Sequence, residues 1–271
     1  MKKTALITGA TSGIGEACAR KFAEGGYRLI ITGRNEQKLN QLKDELDTEV
    51  LTLRYDVRDR KATEAAVKSI PEGWTDIDVL INNAGFGISG AIEFTGTRDA
   101  RRQLDVNFFG MVNMNRAVLP VMREAGKGRV VNLSSVAGVI AIPFQAYYSA
   151  SKAAINAYTM ALANEIKPFG VSVCAVMPGD IRTGFTSARE KLHAGDDVYG
   201  GRIGRSVAGM ERDEQRGMAP ETAGRYICSL ATRKHVKPLY AIGIEYKFFC
   251  LLQKLLPVRL LSWLVGMLYA K

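Results

Sequence analysis

The chain has 271 residues, 47% of them hydrophobic, and no Pro/Gly/Ser linker or low-complexity tract, which excludes a linker-joined array and leaves residues 1–271 as one domain around one core. Its formal charge of +10 is uneven, since residues 182–271 hold 15 basic against 8 acidic side chains; with no nucleic-acid motif present, the excess points to a lipid surface or an anionic substrate. Two histidines far apart and four cysteines without C-x-x-C spacing exclude a zinc site and suit buried free thiols in a reducing compartment.

In chain order, the basic start Met1-Lys2-Lys3 precedes an apolar run too short for a signal peptide, so export is not expected and the chain is placed in the cytoplasm. Residues 4–8 read as a strand, followed by the turn Gly9-Ala10-Thr11-Ser12-Gly13-Ile14-Gly15 and a helical pattern to Gly25. Strand, glycine turn and helix in that order make a pyrophosphate cradle: Gly9 permits the tight turn, Gly13 the close approach of backbone, and Gly15 the packing of helix on strand. A strand over 28–32 leads into Gly33-Arg34, where a carboxylate would favour NAD(H) and a guanidinium grips a 2′-phosphate; Arg34 therefore predicts NADP(H) in preference to NAD(H). An amphipathic stretch at 35–48, a strand at 50–54, Asp56-Val57, a second amphipathic stretch at 59–69 and a strand at 78–82 follow. Asn82-Asn83-Ala84-Gly85 and Asp56 also read as turn formers. Beyond Asn107 come strands at 129–133 and 171–177, the first ending in Ser134-Ser135 and the second in Pro178-Gly179. This alternation predicts an α/β fold, a doubly wound parallel sheet of Rossmann type covered on both faces, with ligands at the carboxyl ends of its strands.

Between those last strands lies Tyr148-Ser149-Ala150-Ser151-Lys152. On a helix, four-residue spacing stacks the phenol and the ammonium on one face. Bringing a tyrosine from pKa ~10 to near neutrality takes about 4 kcal/mol, roughly what one cation at ~4 Å supplies at an effective dielectric of ~20. Tyr148 is thus expected to be the general acid/base and Lys152 its tuning cation. Tyr147 falls out of register with Lys152 and is left as a candidate wall of the substrate pocket.

Residues 183–217 turn polar, charged and glycine-bearing, as suits a lid over a substrate cleft, and 220–232 resume a helical pattern. The tail, 244–271, is strongly apolar, but Lys254, Pro257 and Arg259 interrupt it, and its longest uncharged piece, Leu260 to Ala270, falls short of the ~20 residues that a span requires. Two short helices broken near Pro257 are predicted. They seal the substrate pocket, form an oligomer contact or lie in a lipid interface with Trp263 at headgroup level; sequence leaves the three open.

Taken together, Thr8-Gly9-x-x-x-Gly13-x-Gly15, Asp56-Val57, Asn82-Asn83-Ala84-Gly85, Asn107, Ser134-Ser135, Tyr148-x-x-x-Lys152 and Pro178-Gly179 resemble the short-chain dehydrogenase/reductase family. The resemblance implies a catalytic set of Asn107, Ser135, Tyr148 and Lys152, with Ser135 holding the substrate carbonyl and Asn107 anchoring a relay water. It implies cofactor contacts from Gly9, Thr11, Ser12, Gly13, Ile14 and Gly15, from Arg34, Asp56 and Val57, from Asn83, Ala84 and Gly85, from Tyr148 and Lys152, and from Pro178, Gly179 and Thr183. The tail, through Pro238-Leu239-Tyr240 and Leu256-Pro257-Val258-Arg259, is similar to the hydroxysteroid and retinol dehydrogenase branch. That likeness implies a steroid, retinoid or long-chain keto-lipid substrate and a homo-oligomer, with peripheral membrane contact through the tail. A small polar or acyl-carrier-linked carbonyl, or an NADP(H)-sensing binding protein, are the alternatives.

Overall fold

The computed structural model describes residues 2–270. Its strands are β1 (Thr4–Thr8), β2 (Arg28–Gly33), β3 (Val50–Arg54), β4 (Val79–Asn82), β5 (Ile88–Ser89), β6 (Gly128–Leu133), β7 (Val171–Met177), β8 (Glu190–Lys191) and β9 (Leu239–Ala241). Seven of them form one sheet in the order β3-β2-β1-β4-β6-β7-β9, every pairing parallel, and β5 and β8 form a separate two-stranded ladder. Every residue of β1 is buried, as expected of a strand covered on both faces, and its side chains alternate between two cores. Ala5 and Ile7 join Leu29, Ile31, Ile81 and Val176 on one face, while Leu6 joins Ile30, Leu80, Val130 and Val173 on the other.

The helices are α1 (Gly13–Glu24), α2 (Glu36–Glu45), α3 (Arg60–Lys68), α4 (Thr97–Leu104), α5 (Gly110–Glu124), α6 (Ala146–Glu165), α7 (Phe185–Ala188), α8 (Arg202–Arg216), α9 (Pro220–Thr232), α10 (Ile244–Leu255) and α11 (Val258–Tyr269). Phe22 of α1 and Ile227 and Leu230 of α9 cover the first face; Met114, Val118 and Met122 of α5 and Leu162 of α6 cover the second. Helices α2 and α3 start where Asn35 and Asp59 accept from the amides of Lys38 and Ala62, each at 3.0 Å. Because β1 is flanked by β2 on one side and β4 on the other, the chain reverses its winding there and leaves a crevice at the carboxyl edge.

Six strands fall where apolar runs predict them. The seventh, β9, does not come from pattern: three residues are too few for a period, and they become a strand by pairing Leu239 and Tyr240 with Ala175 and Val176. The 183–217 segment also holds more structure than its polar composition suggests, since it contains α7, β8 and the fifteen-residue α8. The tail forms two helices with Pro257 between them. No helix among the described residues is long and apolar enough to cross a membrane.

Candidate active site

At the carboxyl edge opens a cleft of about 780 Å³ that runs from the end of β2 to the tail helices. Of the residues expected at the site, Gly9, Thr11, Ser12, Gly13, Ile14, Arg34, Asp56, Val57, Asn83, Ala84, Gly85, Ser135, Tyr148, Lys152, Pro178, Gly179 and Thr183 line it. Gly15 and Asn107 sit one layer behind, and Tyr147 does not line it.

The cleft fits a dinucleotide. Gly9 takes φ +62° in the turn out of β1, which a side chain resists. Ser12 caps α1 without a side-chain hydrogen bond, so the helix start offers unclaimed amides to an anion. Gly15 is needed for packing: a Cβ there would come 2.3 Å from the Gly9 carbonyl oxygen and 2.4 Å from Asn83 Nδ2. Asn83 ties the two loops together by donating to the carbonyls of Thr8 and Gly9, each at 3.0 Å.

At the far end the cleft wall carries three cations, Arg34, Lys38 and Arg58. Only the first was legible from its place after β2. Asp56 is both turn former and wall: its carboxylate accepts from the Arg58 amide at 3.0 Å and from the Arg58 guanidinium at 2.7 to 3.1 Å, which holds it below the usual carboxylate range. A pattern of one acid and one base two residues apart in a loop carries no signal by itself.

At the other end, α6 places Tyr148 and Lys152 on one face as the spacing predicts, with the ammonium 5.6 Å from the phenol ring centre. Burial dominates their electrostatics. Burial, opposed by the Ser135 hydroxyl, pushes Tyr148 up to about 12, and burial lowers Lys152 to about 8. Desolvation penalises the charged form of each group, and the ammonium is turned towards the Leu133 carbonyl at 2.7 Å instead of the phenol oxygen. Both Ser134 and Ser135 line the cleft, but the Ser134 hydroxyl is committed to the helix, donating to the Lys152 carbonyl at 3.0 Å.

The side chain of Asn107 is fully engaged within the protein. It is buried in a π-helical turn, Asp105–Phe109, where Nδ2 donates to the Phe86 carbonyl at 3.0 Å and to Ser151 Oγ at 3.1 Å, and Oδ1 accepts from the Phe86 amide at 3.0 Å. The side chain thus clamps the loop after β4 to α6 and does not reach the cleft. Such π turns gather at functional sites because they free backbone groups from the helix ladder.

The substrate end contains residues that sequence reasoning missed. Tyr246, from α10, lays its ring on Gly179, where a Cβ would come 2.1 Å from it, and its hydroxyl donates to the Asp180 carboxylate at 2.7 Å and accepts from the Asp180 amide at 3.0 Å. Tyr269, from α11, lines the same cavity. Arg189, buried within the lid segment, pairs with Glu214 of α8, which also accepts from Thr186 at 2.6 Å. Nε and Nη1 of Arg189 have no partner although the residue lines the cleft. Only contacts between distant segments define these roles.

This sheet, this crevice and a tyrosine–lysine pair beside it define an oxidoreductase of the nucleotide-binding α/β class. The chain belongs to the short-chain dehydrogenase/reductase family: the family model for short chain dehydrogenase matches residues 3–193. A 3-ketodihydrosphingosine reductase of Bacteroides thetaiotaomicron is 38% identical over 268 residues, covering 98% of this chain and 97% of that one. An NADP-dependent 3-hydroxy acid dehydrogenase of Salmonella typhi is 40% identical over 200 residues, 73% of this chain and 79% of that one. A crystal structure of a short-chain dehydrogenase from Streptomyces avermitilis superposes with a TM-score of 0.85 at 30% identity, covering 92% of this chain and 91% of the other.

Proposed function

We propose that the chain is an NADP(H)-dependent reductase of a long-chain keto-lipid, interconverting a ketone and a secondary alcohol. The carrying observation is the tail: its helices place Tyr246 and Tyr269 in the wall of the cleft that holds Tyr148. In support, the relative whose match extends over the tail acts by its name on 3-ketodihydrosphingosine, whereas the match to the 3-hydroxy acid dehydrogenase covers only 73% of this chain.

The nicotinamide supplies or accepts the hydride. The glycine turn and the start of α1 hold the pyrophosphate, Arg34, Lys38 and Arg58 the 2′-phosphate, Asp56 and Val57 the adenine, Asn83, Ala84 and Gly85 the middle of the cofactor, and Pro178, Gly179 and Thr183 the reactive ring. Three cations around one site oppose NAD(H) less than they favour a phosphate, and the charge-assisted bonds make the difference. In reduction, as the carbonyl carbon gains the hydride, its oxygen develops negative charge that the Ser135 hydroxyl stabilises and Tyr148 neutralises by giving up its phenolic proton. A neutral Tyr148 at rest suits that direction. Lys152 binds the nicotinamide ribose and, as an ammonium, offsets the phenolate that remains.

A small acidic carbonyl substrate is the second reading, favoured by the two unpartnered donors of Arg189. Steady-state kinetics with NADPH and NADH against a keto-sphingoid base, retinal, a steroid and a small 3-keto acid separate the readings. The long-chain ketone with NADPH is expected to give the highest kcat/KM, and Arg34→Asp to reverse the cofactor preference. A maximum on the 3-keto acid, or a wild-type preference for NADH, would overturn the proposal.

A further inference from the structure

Strand β9 runs beside the end of β7, and the chain that follows it is steered back over the loop into which β7 leads. Ile242 donates its amide to the Met177 carbonyl at 3.1 Å, Gly243 takes φ +90°, and α10 begins at the next residue. A side chain at Gly243 would have to enter this left-handed conformation and would also bring its Cβ 2.9 Å from the Tyr246 ring. The bend aims the first turn of α10, and Tyr246 with it, at Pro178-Gly179-Asp180.

There the phenol holds the loop in two ways. Its ring fills the place of a side chain at Gly179, where a Cβ would meet ring carbons at 2.1 to 2.3 Å. Its hydroxyl donates to the Asp180 carboxylate at 2.7 Å and accepts from the Asp180 amide at 3.0 Å. The Asp180 carbonyl in turn accepts from the Met218 amide at 2.9 Å, and the Pro178 carbonyl accepts from the Val136 amide at 3.0 Å and, more loosely, from the Ser135 hydroxyl at 3.4 Å. Gly179 is therefore strung between two pinned neighbours, one tied to the segment after β6 and the other to the tail. Burial pushes the Asp180 carboxyl up and the Tyr246 hydroxyl opposes it, so the same bond that pins the loop also supports a desolvated carboxylate.

We propose that Tyr246 is a positioning residue for hydride transfer, fixing from the tail the loop against which the nicotinamide ring lies. This rests on the function proposed above, in which Pro178, Gly179 and Thr183 hold the reactive ring. The pyrophosphate and the 2′-phosphate are held there by other elements, the glycine turn and the cations near β2, so freeing the loop loosens the ring without releasing the cofactor. Hydride transfer needs its two carbons about 3 to 3.5 Å apart, and a misplacement of about 1 Å costs on the order of 10²-fold in rate. Tyr246→Phe keeps the ring on Gly179 and removes both hydrogen bonds to Asp180, which separates the clamp from the packing.

The test titrates the full-length protein with NADPH and then mixes the complex with the long-chain ketone in a single turnover. For Tyr246→Phe the expected results are a Kd for NADPH within about twofold of wild type, weaker nicotinamide fluorescence in the complex, and a rate constant for hydride transfer lower by at least about tenfold at undiminished amplitude. The fluorescence is read before ketone is added, so it reports the loop and not a contact between Tyr246 and substrate. Loss of folded protein would lower the amplitude and leave the rate constant. Val265→Ala, which loosens α11 within the same apolar cluster without touching Asp180, is expected to lower the thermal midpoint and keep both the fluorescence and the rate constant. A Tyr246→Phe variant with wild-type fluorescence and rate constant overturns the proposal, as does an equal loss of rate in Val265→Ala. Weaker nicotinamide fluorescence in Tyr246→Phe, with no reduction of the long-chain ketone even by wild type, supports the positioning and overturns the substrate reading instead. A wild type that binds no NADPH overturns both.

Discussion

In the proposed mechanism, proton transfer at Tyr148 starts from a neutral phenol beside a lysine whose proton is held less tightly than usual, because the cleft wall desolvates both. Tyr148→Phe is expected to leave NADPH affinity intact, since the phenyl ring still packs against Phe185, and to lower kcat by a factor of about 10² to 10⁴, the usual contribution of a positioned proton donor. Fluorescence titration and single-turnover kinetics measure the two separately, and turnover near wild type would remove Tyr148 from the mechanism. Lys152 makes a pH prediction. Its ordinary value is 10.5 and its folded value about 8, so between those limits the unfolded chain binds a proton that the native chain does not, and folding stability rises with pH. The buried ammonium costs at most about 3 kcal/mol below that window. Chemical denaturation of the cofactor-free protein at pH 7 and at pH 9.5 is therefore expected to show Lys152→Met more stable than wild type by a margin that narrows at the higher pH. A constant margin would contradict the depressed value.

The glycine turn works as an element because α1 can approach β1 closely. With the Gly9 carbonyl 2.3 Å and Asn83 Nδ2 2.4 Å from a would-be Cβ, Gly15→Ala pushes on the Gly9 backbone and on an amide held by two hydrogen bonds. Overpacking of this kind costs about 1 to 3 kcal/mol. A lower urea midpoint together with weaker NADPH binding is expected, and an unchanged midpoint would show that the contact relaxes. The lid is likewise held by elements: β5 pairs with β8 and Arg102 with Glu190, which fix β8, while Arg189 pairs with Glu214 and ties α8 to that same segment. Polar composition pointed to a lid but not to α8: its buried Ile203, Val207 and Met210 keep helical spacing, but Gly204 and Gly209 interrupt the pattern and its second half is charged. Strands β1, β2, β4, β6 and β7 were legible because burial on both faces makes them largely apolar runs, and the half-exposed edge strand β3 because Val50, Leu51 and Leu53 stand out from their polar surroundings.

Across the whole molecule, one cleft joins two chemically distinct ends, a cationic one near β2 and, under the tail, one where Tyr246, Tyr269 and Met210 stand beside Arg189 and Glu214. Removal of residues 244–271 takes away the second end and uncovers Val136, Ile140, Met177 and Ala241, while the pyrophosphate turn lies outside the tail's contacts. The truncated chain is expected to lose thermal stability and at least about tenfold in kcat/KM for the long-chain ketone, whose apolar binding energy has lost its wall, yet to retain NADPH binding. Calorimetry and cofactor titration check this; equal turnover of the long-chain substrate would place its binding elsewhere.

Local pattern alone determined the alternation of strands and helices, the glycine cradle, the shared face of Tyr148 and Lys152 and the break of the tail at Pro257, because each is written within a few residues by periodicity or backbone freedom. Only tertiary structure decided what those features meet. It brought Lys38 and Arg58 beside Arg34, buried Arg189 against Glu214, turned Asn107 into a clamp, laid Tyr246 on Gly179 and made β9 a strand. It also set the resting protonation of the tyrosine–lysine pair, since desolvation depends on everything that surrounds a group and not on the residue four places away.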